Sequence, residues 1–294
     1  MDMHGVWPAA VTPFDSEGAV DGPSLIRLLS FFRASGCQGV VVAGTNGEGP
    51  SLSAVEKRDL LRLAVKSEMP CLLGIATPSL TEAVWLAEQA GKCGAAGVLL
   101  MAPGYFRNAS AKGVVNWMLA VADSSPVPVV AYNFPKYTGF TFDADVVKAL
   151  ARHPNIQGFK DSSGDRANLA MFRFMAPDAA LMVGDETLAV EAGQAGWQGC
   201  ISGAANLIPN WLCQCVSEPK GVSFEVVLPV VQAIRAEVQP AANKAVLHRW
   251  GVISRPDVRL PLLADSECLL AETIESRLGM NRNNLGIPPG EYGD

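Results

Sequence analysis

A chain of 294 residues that is 49% hydrophobic and 18% charged can bury a large core, needs neither disulfides nor metal to hold together, and falls outside the disordered classes. Its net charge of −6, with no run of Lys or Arg, excludes nucleic acid and an anionic membrane surface as partners. The seven cysteines, Cys37, Cys71, Cys93, Cys200, Cys213, Cys215 and Cys268, form no C-x-x-C pair and read as small hydrophobes in a reducing compartment.

The start, Met1-Asp2-Met3-His4, has no basic region and no long apolar stretch, so no signal peptide is expected. The longest uncharged run, 192–217, is broken by glycines and Pro209, unlike a membrane span. The expectation is a cytoplasmic, soluble protein.

Short β-rich apolar runs recur every twenty to thirty residues or so and predict strands at 5–11, 39–43, 71–75, 97–101, 127–132, 156–160, 180–183 and 199–202. Most are continuous rather than alternating, as when both faces of a strand are covered. Helical patterns lie between them. Leu25, Leu28, Leu29 and Phe32 share one face. Ser53-Ala54-Val55-Glu56 and Ser79-Leu80-Thr81-Glu82 have the spacing of capping boxes, and Leu60, Leu61, Ala64 and Val65 continue the helix behind the first. Eight such units predict an α/β fold, a (β/α)8 TIM barrel spanning 1–222. Pro219-Lys220-Gly221 breaks the pattern. From 223 to 294 the sequence predicts a C-terminal helical appendage: Val227, Val230, Val231, Ile234 and Val238 on one helix face, Leu270, Ile274 and Leu278 on another before a Gly279 stop, and a Pro/Gly-rich tail at 286–294.

In such barrels the chemistry is assembled at the C-terminal ends of the strands. The second strand ends in Gly44-Thr45-Asn46-Gly47-Glu48-Gly49, the fifth in Tyr132-Asn133-Phe134-Pro135, the sixth in Gly158-Phe159-Lys160-Asp161. Lysine is a poor strand residue. Pointed into the barrel mouth, Lys160 is a desolvated ammonium whose pKa falls. A drop of about three units leaves roughly half of it neutral at pH 7, at a cost of about 4 kcal/mol. That cost makes sense for Schiff-base chemistry, in which a neutral amine attacks a ketone. Position alone does not separate this reading from a lysine that snorkels at a strand end. Tyr132 can relay protons to such an amine, or simply cap the core with a wet hydroxyl. The Gly-rich turn can offer N–H groups and the Thr45 hydroxyl to a carboxylate, and it matches neither a dinucleotide nor a P-loop spacing.

Taken together, Gly44-Thr45-Asn46-Gly47-Glu48, Tyr132-Asn133-Phe134-Pro135-Lys136-Tyr137-Thr138-Gly139, Gly158-Phe159-Lys160-Asp161-Ser162-Ser163-Gly164-Asp165, Gly184-Asp185-Glu186 and Gly199-Cys200-Ile201-Ser202 resemble the dihydrodipicolinate synthase / N-acetylneuraminate lyase family of pyruvate-dependent class I aldolases. The pieces stand in the family's order over nearly the whole chain. The resemblance implies Lys160 as the Schiff-base lysine and Tyr132 as the proton relay. It implies Thr45 as a second relay that binds the pyruvate carboxylate with Asn46. It also implies Gly184 and Ile201 as pocket-lining backbone, and Tyr105 as an aromatic inserted across a subunit interface. A homo-oligomer, dimer or tetramer, with a small-molecule 2-oxo acid substrate and no cofactor, is what it implies further.

The pattern departs from the synthases in two places. Asn46 replaces a second threonine. Tyr137 stands where synthases carry the arginine that holds the aldehyde's carboxylate, and a phenol cannot reproduce a bidentate guanidinium pair. The turn and the Lys-Asp-Ser-x-Gly-Asp run look more like 4-hydroxy-2-oxoglutarate aldolases. The function expected is thus a lyase joining or separating pyruvate and an aldehyde, with dihydrodipicolinate synthase as the alternative and Tyr137 as a substrate contact. Gly104 replaces the aromatic of lysine-inhibited synthases, so lysine feedback is not expected.

Other chemistries fit poorly. His4, His153 and His248 are far apart and end no predicted strand, so no metal is expected. A serine hydrolase lacks G-x-S-x-G. Asp161, Asp165, Asp185 and Glu186 read as caps and loop acceptors rather than paired acids. A non-catalytic binding barrel is the rival from another class. Against it, Lys160, Tyr132 and Thr45 are all present.

Overall fold

The computed structural model describes residues 2–217, 223–264, 269–280 and 285. Among these, eight parallel strands, β1 (Gly5–Pro8), β2 (Val40–Val42), β3 (Cys71–Ile75), β4 (Gly97–Met101), β5 (Val129–Asn133), β6 (Ile156–Asp161), β7 (Ala180–Val183) and β8 (Gly199–Ser202), pair in the order β1-β8-β7-β6-β5-β4-β3-β2. A parallel bridge between Ala9 and Val41 closes the ring, with the Ala10 N–H donating to the Val41 carbonyl at 2.9 Å. Around it lie α1 (Gly22–Ala34), α2 (Ala54–Ala64), α3 (Leu80–Cys93), α4 (Ala111–Ser124), the single turn α5 (Pro135–Thr138), α6 (Ala144–Ala151), α7 (Ala167–Met175), α8 (Ala189–Gln194) and α9 (Pro209–Ser217). This is the expected (β/α)8 barrel. Three further helices follow: α10 (Ser223–Ala236), α11 (Ala241–Arg249) and α12 (Leu270–Leu278). No helix among the described residues is long and apolar enough to cross a membrane.

The continuous apolar strands serve two cores. Val40, Val42, Leu73, Val98 and Leu100 face the helices, whereas Val41, Leu72 and Leu99 face the barrel axis with Trp7, Val130, Met182 and Ile201. Alternation is present, but both faces are apolar, which is why it is invisible as polarity.

One irregularity lies just before the site. Val129 pairs with Ile156 but Val130 pairs with Gly158, so Gln157 is a surplus residue on β6. Ile156 and Phe159 both pack in the outer core, a spacing that plain alternation forbids. Beyond the bulge Lys160 is carried into the barrel, side by side with Tyr132.

Several local expectations need correction. Val238 lies beyond the end of α10 and is 65% exposed, while Val227, Val230, Val231 and Ile234 are buried as expected. Ser53 and Glu56 form a reciprocal capping box. Ser79 accepts from the Glu82 N–H, but the Glu82 carboxylate is diverted to Thr77 at 2.9 Å and Lys57 at 3.3 Å, so the second box is half-made. Leu270, Ile274 and Leu278 are buried, and Gly279 ends α12 at φ +67. The break at 219–221, the boundary at 222/223, Cys268 and the 286–294 tail lie outside the described residues.

Candidate active site

The C-terminal ends of the strands open into a cavity of about 480 Å³. Thr45, Asn46, Tyr132, Tyr137, Lys160, Gly184 and Ile201, singled out from sequence on different strands and loops, all line it. Lys160 is 5% exposed, and its Nζ stands 4.2 Å from the centre of the Tyr132 ring. Burial pulls the amine down to about 8, against an upward pull from the Glu186 carboxylate and a smaller one from Cys200. Gly184 makes room for it. A Cβ there would fall 2.7 Å from Lys160 Cε and closer still to Ser162 Oγ.

Tyr132 is also buried, which pushes its phenol up. Hydrogen bonds from the Ser162 and Thr45 side chains oppose that shift. Ser162 Oγ lies 3.3 Å from the phenol oxygen. A neutral phenol with two hydroxyl neighbours and a partly neutral amine beside its ring can pass protons along a short chain. Ser162 lies in the run that follows Lys160, and nothing in the local sequence marks it as part of the site. Its signal was adjacency to Lys160, readable only once the strand's end was known.

The turn after β2 is strained and braced. Ala43 sits at φ +54 and Glu48 at φ +52, both in the left-handed region. The wholly buried Glu48 carboxylate accepts from Lys244 Nζ at 2.5 Å and from the Arg259 backbone N–H at 2.7 Å. Lys244 also donates to the Asp257 carbonyl at 2.7 Å and lies 4.0 Å over the Phe14 ring. Asn46 Oδ1 accepts from Asn243 at 3.4 Å, and its amide fills the space a Gly203 side chain would take. The residues that hold the turn in shape thus come from α11 and the loop after it. Nothing in the local sequence of the turn signals them.

The acids behave as expected. Asp161 accepts from Asn133 Nδ2 at 2.6 Å, Ser163 Oγ at 2.7 Å and Asn168 Nδ2 at 3.2 Å; burial pushes its carboxyl up against these bonds. Asp165 accepts from the Ala167 N–H. Glu186 takes Ser202 Oγ and the Gly203 and Ala204 N–H groups on one oxygen and Arg235 on the other. Arg235, on α10, lines the cavity and also reaches Asp185 at 2.8 Å. It was not anticipated, because an amphipathic pattern gives a helix's face and not what its flanking charges meet.

Tyr105 does not reach the cavity within one chain. It is 77% exposed on the loop after β4, edge-on to Phe106 at 5.2 Å. Tyr137 packs on Phe134 at 4.6 Å, half in solvent, and divides the main cavity from a second of about 420 Å³ that Gly104 helps line.

The chain matches the model of the dihydrodipicolinate synthetase family over residues 2–274. It belongs to this family. It is similar to the 4-hydroxy-tetrahydrodipicolinate synthase of Methanosarcina barkeri, 29% identical over 97% of this chain and 99% of that protein. The synthase of Stenotrophomonas maltophilia is 33% identical over 90% and 91%. The crystal structure of the Thermotoga maritima dihydrodipicolinate synthase superposes with a TM-score of 0.88, at 26% identity, over 95% of this chain and 99% of that one. As a member of the dihydrodipicolinate synthase family this chain is an enzyme, a pyruvate-dependent lyase of the class I, Schiff-base kind.

Proposed function

We propose that the enzyme makes or breaks a carbon–carbon bond between pyruvate and an aldehyde through an imine on Lys160, in the manner of the 2-oxo acid aldolases that act on 4-hydroxy-2-oxoglutarate. The observation that carries this is a buried, partly neutral amine against a phenol at the floor of an open cavity. In the synthetic direction the Lys160 amine attacks the ketone carbon of pyruvate. Tyr132 passes a proton to the oxygen, which leaves as water. Loss of a methyl proton gives the enamine, whose carbon attacks the aldehyde, and water then frees the product and the amine. Thr45 and Ser162 exchange the protons that Tyr132 gives and takes. The turn at 44–49, with Thr45 and Asn46, holds the pyruvate carboxylate, and the Gly184 and Ile201 backbone closes the pocket around its methyl end.

A second reading, 4-hydroxy-tetrahydrodipicolinate synthase, is favoured by the name the relatives share. Against it, the position after Pro135-Lys136 holds Tyr137, which offers one hydroxyl to a carboxylate where an arginine offers a fork. Tyr105 is assigned to the site of a neighbouring subunit in a dimer or tetramer, a role that fits an exposed aromatic pair. The free thiols Cys71, Cys200 and Cys215, all buried, suit a reducing cytoplasm.

Borohydride reduction in the presence of pyruvate tests the imine by intact mass. An adduct is expected on the wild type and none on Lys160→Ala; its absence from the wild type, or its persistence in the variant, overturns the assignment. Pyruvate release from a panel of 2-oxo acids, set beside condensation of pyruvate with aspartate semialdehyde, separates the two readings. A fully active monomer would remove Tyr105 from the site.

A further inference from the structure

The imine chemistry needs Lys160 as a free amine, yet two carboxylates share its cavity. Asp185 is 8% exposed and Glu186 3% exposed, both at the end of β7 and in the cavity wall. An uncompensated carboxylate beside a buried amine keeps the amine protonated. Neither carboxylate is left uncompensated. Arg235 Nη1 donates to Glu186 Oε2 at 2.9 Å and its Nη2 to Asp185 Oδ2 at 2.8 Å. The second oxygen of Glu186 takes Ser202 Oγ at 2.8 Å, the Gly203 N–H at 2.9 Å and the Ala204 N–H at 3.2 Å. The second oxygen of Asp185 takes the Thr187 hydroxyl at 2.6 Å and its N–H at 3.1 Å. Both carboxylates are therefore held by donors on two sides.

We propose that Arg235 is a positioning residue for Lys160: by pairing with Glu186, and with Asp185 beside it, it weakens the hold of Glu186 on an ammonium there, so that the appended helix α10 governs how much free amine the barrel presents. The proposal rests on the imine reading above.

The groups facing Lys160 sort out in its favour. Tyr132 comes from β5, Lys136 and Tyr137 from α5, Cys200 from β8, and Arg235 and Glu237 from α10 and the residue just beyond it. Beside these stands Glu186, at the end of β7, which has the largest upward pull on the amine, and Cys200 follows. Lys136 and Glu237 are exposed, where solvent and salt screen them. Arg235 is itself 42% exposed, but it is bonded directly to Glu186, whose side chain is 4% exposed. Without it the buried Glu186 loses its cation, and its upward pull on the Lys160 amine grows against the desolvation that holds the amine down. Each unit by which the amine's pKa rises lowers the free-amine fraction at pH 7 about tenfold.

The test reads Lys160 directly. Trace labelling with acetic anhydride across pH 6–11, quantified on the Lys160 peptide by mass spectrometry, gives its titration midpoint without any substrate. Arg235→Gln is expected to raise the midpoint by about one unit, Arg235→Lys to leave it within a few tenths, and Glu186→Gln to lower it. In parallel, cyanoborohydride trapping of pyruvate at pH 7 should fall about tenfold in Arg235→Gln and converge with the wild type at high pH. A role confined to anchoring α10 would lower trapping equally at every pH. That result, or an unmoved midpoint in folded Arg235→Gln, overturns the proposal. If Arg235→Gln does not fold, an unmoved midpoint in Glu186→Gln overturns it equally. A wild type that shows the expected titrations but traps no pyruvate defeats the imine reading and leaves the charge relationship standing.

Discussion

Lys160 and Lys244 are both buried over aromatic rings, Tyr132 at 4.2 Å and Phe14 at 4.0 Å, and burial pulls both amines down to about 8. What surrounds them differs. Lys244, at the junction of α11 with the barrel, has the Glu48 carboxylate at 2.5 Å and a backbone carbonyl at 2.7 Å. It is a structural cation that shares its proton with an acid. Lys160, in the barrel mouth, faces a carboxylate whose oxygens are spent on Arg235, Ser202 and two backbone N–H groups. The same desolvation makes a brace in one place and, on the function proposed above, a nucleophile in the other. Whether an anion is within reach decides which.

The sharpest way to break that contrast is to remove each amine. Lys160→Met should abolish turnover while making the protein more stable at pH 7. A lysine whose folded pKa is about 8 and whose ordinary value is 10.5 binds fewer protons folded than unfolded between those values. Its burial is therefore a stability deficit that is fully present below about pH 8 and fades as pH rises through 10.5. The variant should lead the wild type by up to about 3 kcal/mol at pH 7 and lose that lead by pH 11, as read by urea unfolding across pH. A variant less stable than the wild type at neutral pH would show that Lys160 is held as Lys244 is.

Lys244→Met should do the opposite, costing about 3–5 kcal/mol because Glu48 is left buried without its partner. Adding Glu48→Gln should recover much of the loss. Differential scanning calorimetry of the single and double variants checks this, and strictly additive losses would mean the two side chains act apart. Next comes Tyr132→Phe. We expect kcat to fall by roughly 10²–10⁴ with a smaller change in the KM for pyruvate, since the hydroxyl works on protons in flight rather than in the bound ground state. Equal losses in both would place Tyr132 among the groups that merely bind.

Much of this was legible in the chain itself, for identifiable reasons. Parallel strands covered on both sides write themselves as short apolar runs, and Lys160 stood out as the charge closing one of them. The turn at 44–49 announced itself through glycine. What could not be read was anything that depends on pairing across the chain. Glu48 meets Lys244 across a separation of 196 residues, and Arg235 meets Glu186 across 49. Local periodicity says that Ile234 turns inward and is silent on where its neighbour's guanidinium lands. The apolar period runs on to Val238, past the helix's last residue, and so points to a face that Val238 does not share.

The surplus Gln157 also sets what a change in strand length would do. A strand offers its side chains only two directions, and a bulge lets the stretches on its two sides face independently. Ile156 pairs with Val129, and Gly158 to Asp161 stay in step with Val130 to Asn133, so a chain shortened by Gln157 alone would run in plain alternation with Lys160 still beside Tyr132. The bulge absorbs one residue, and the side on which the amine stands does not depend on that residue's presence.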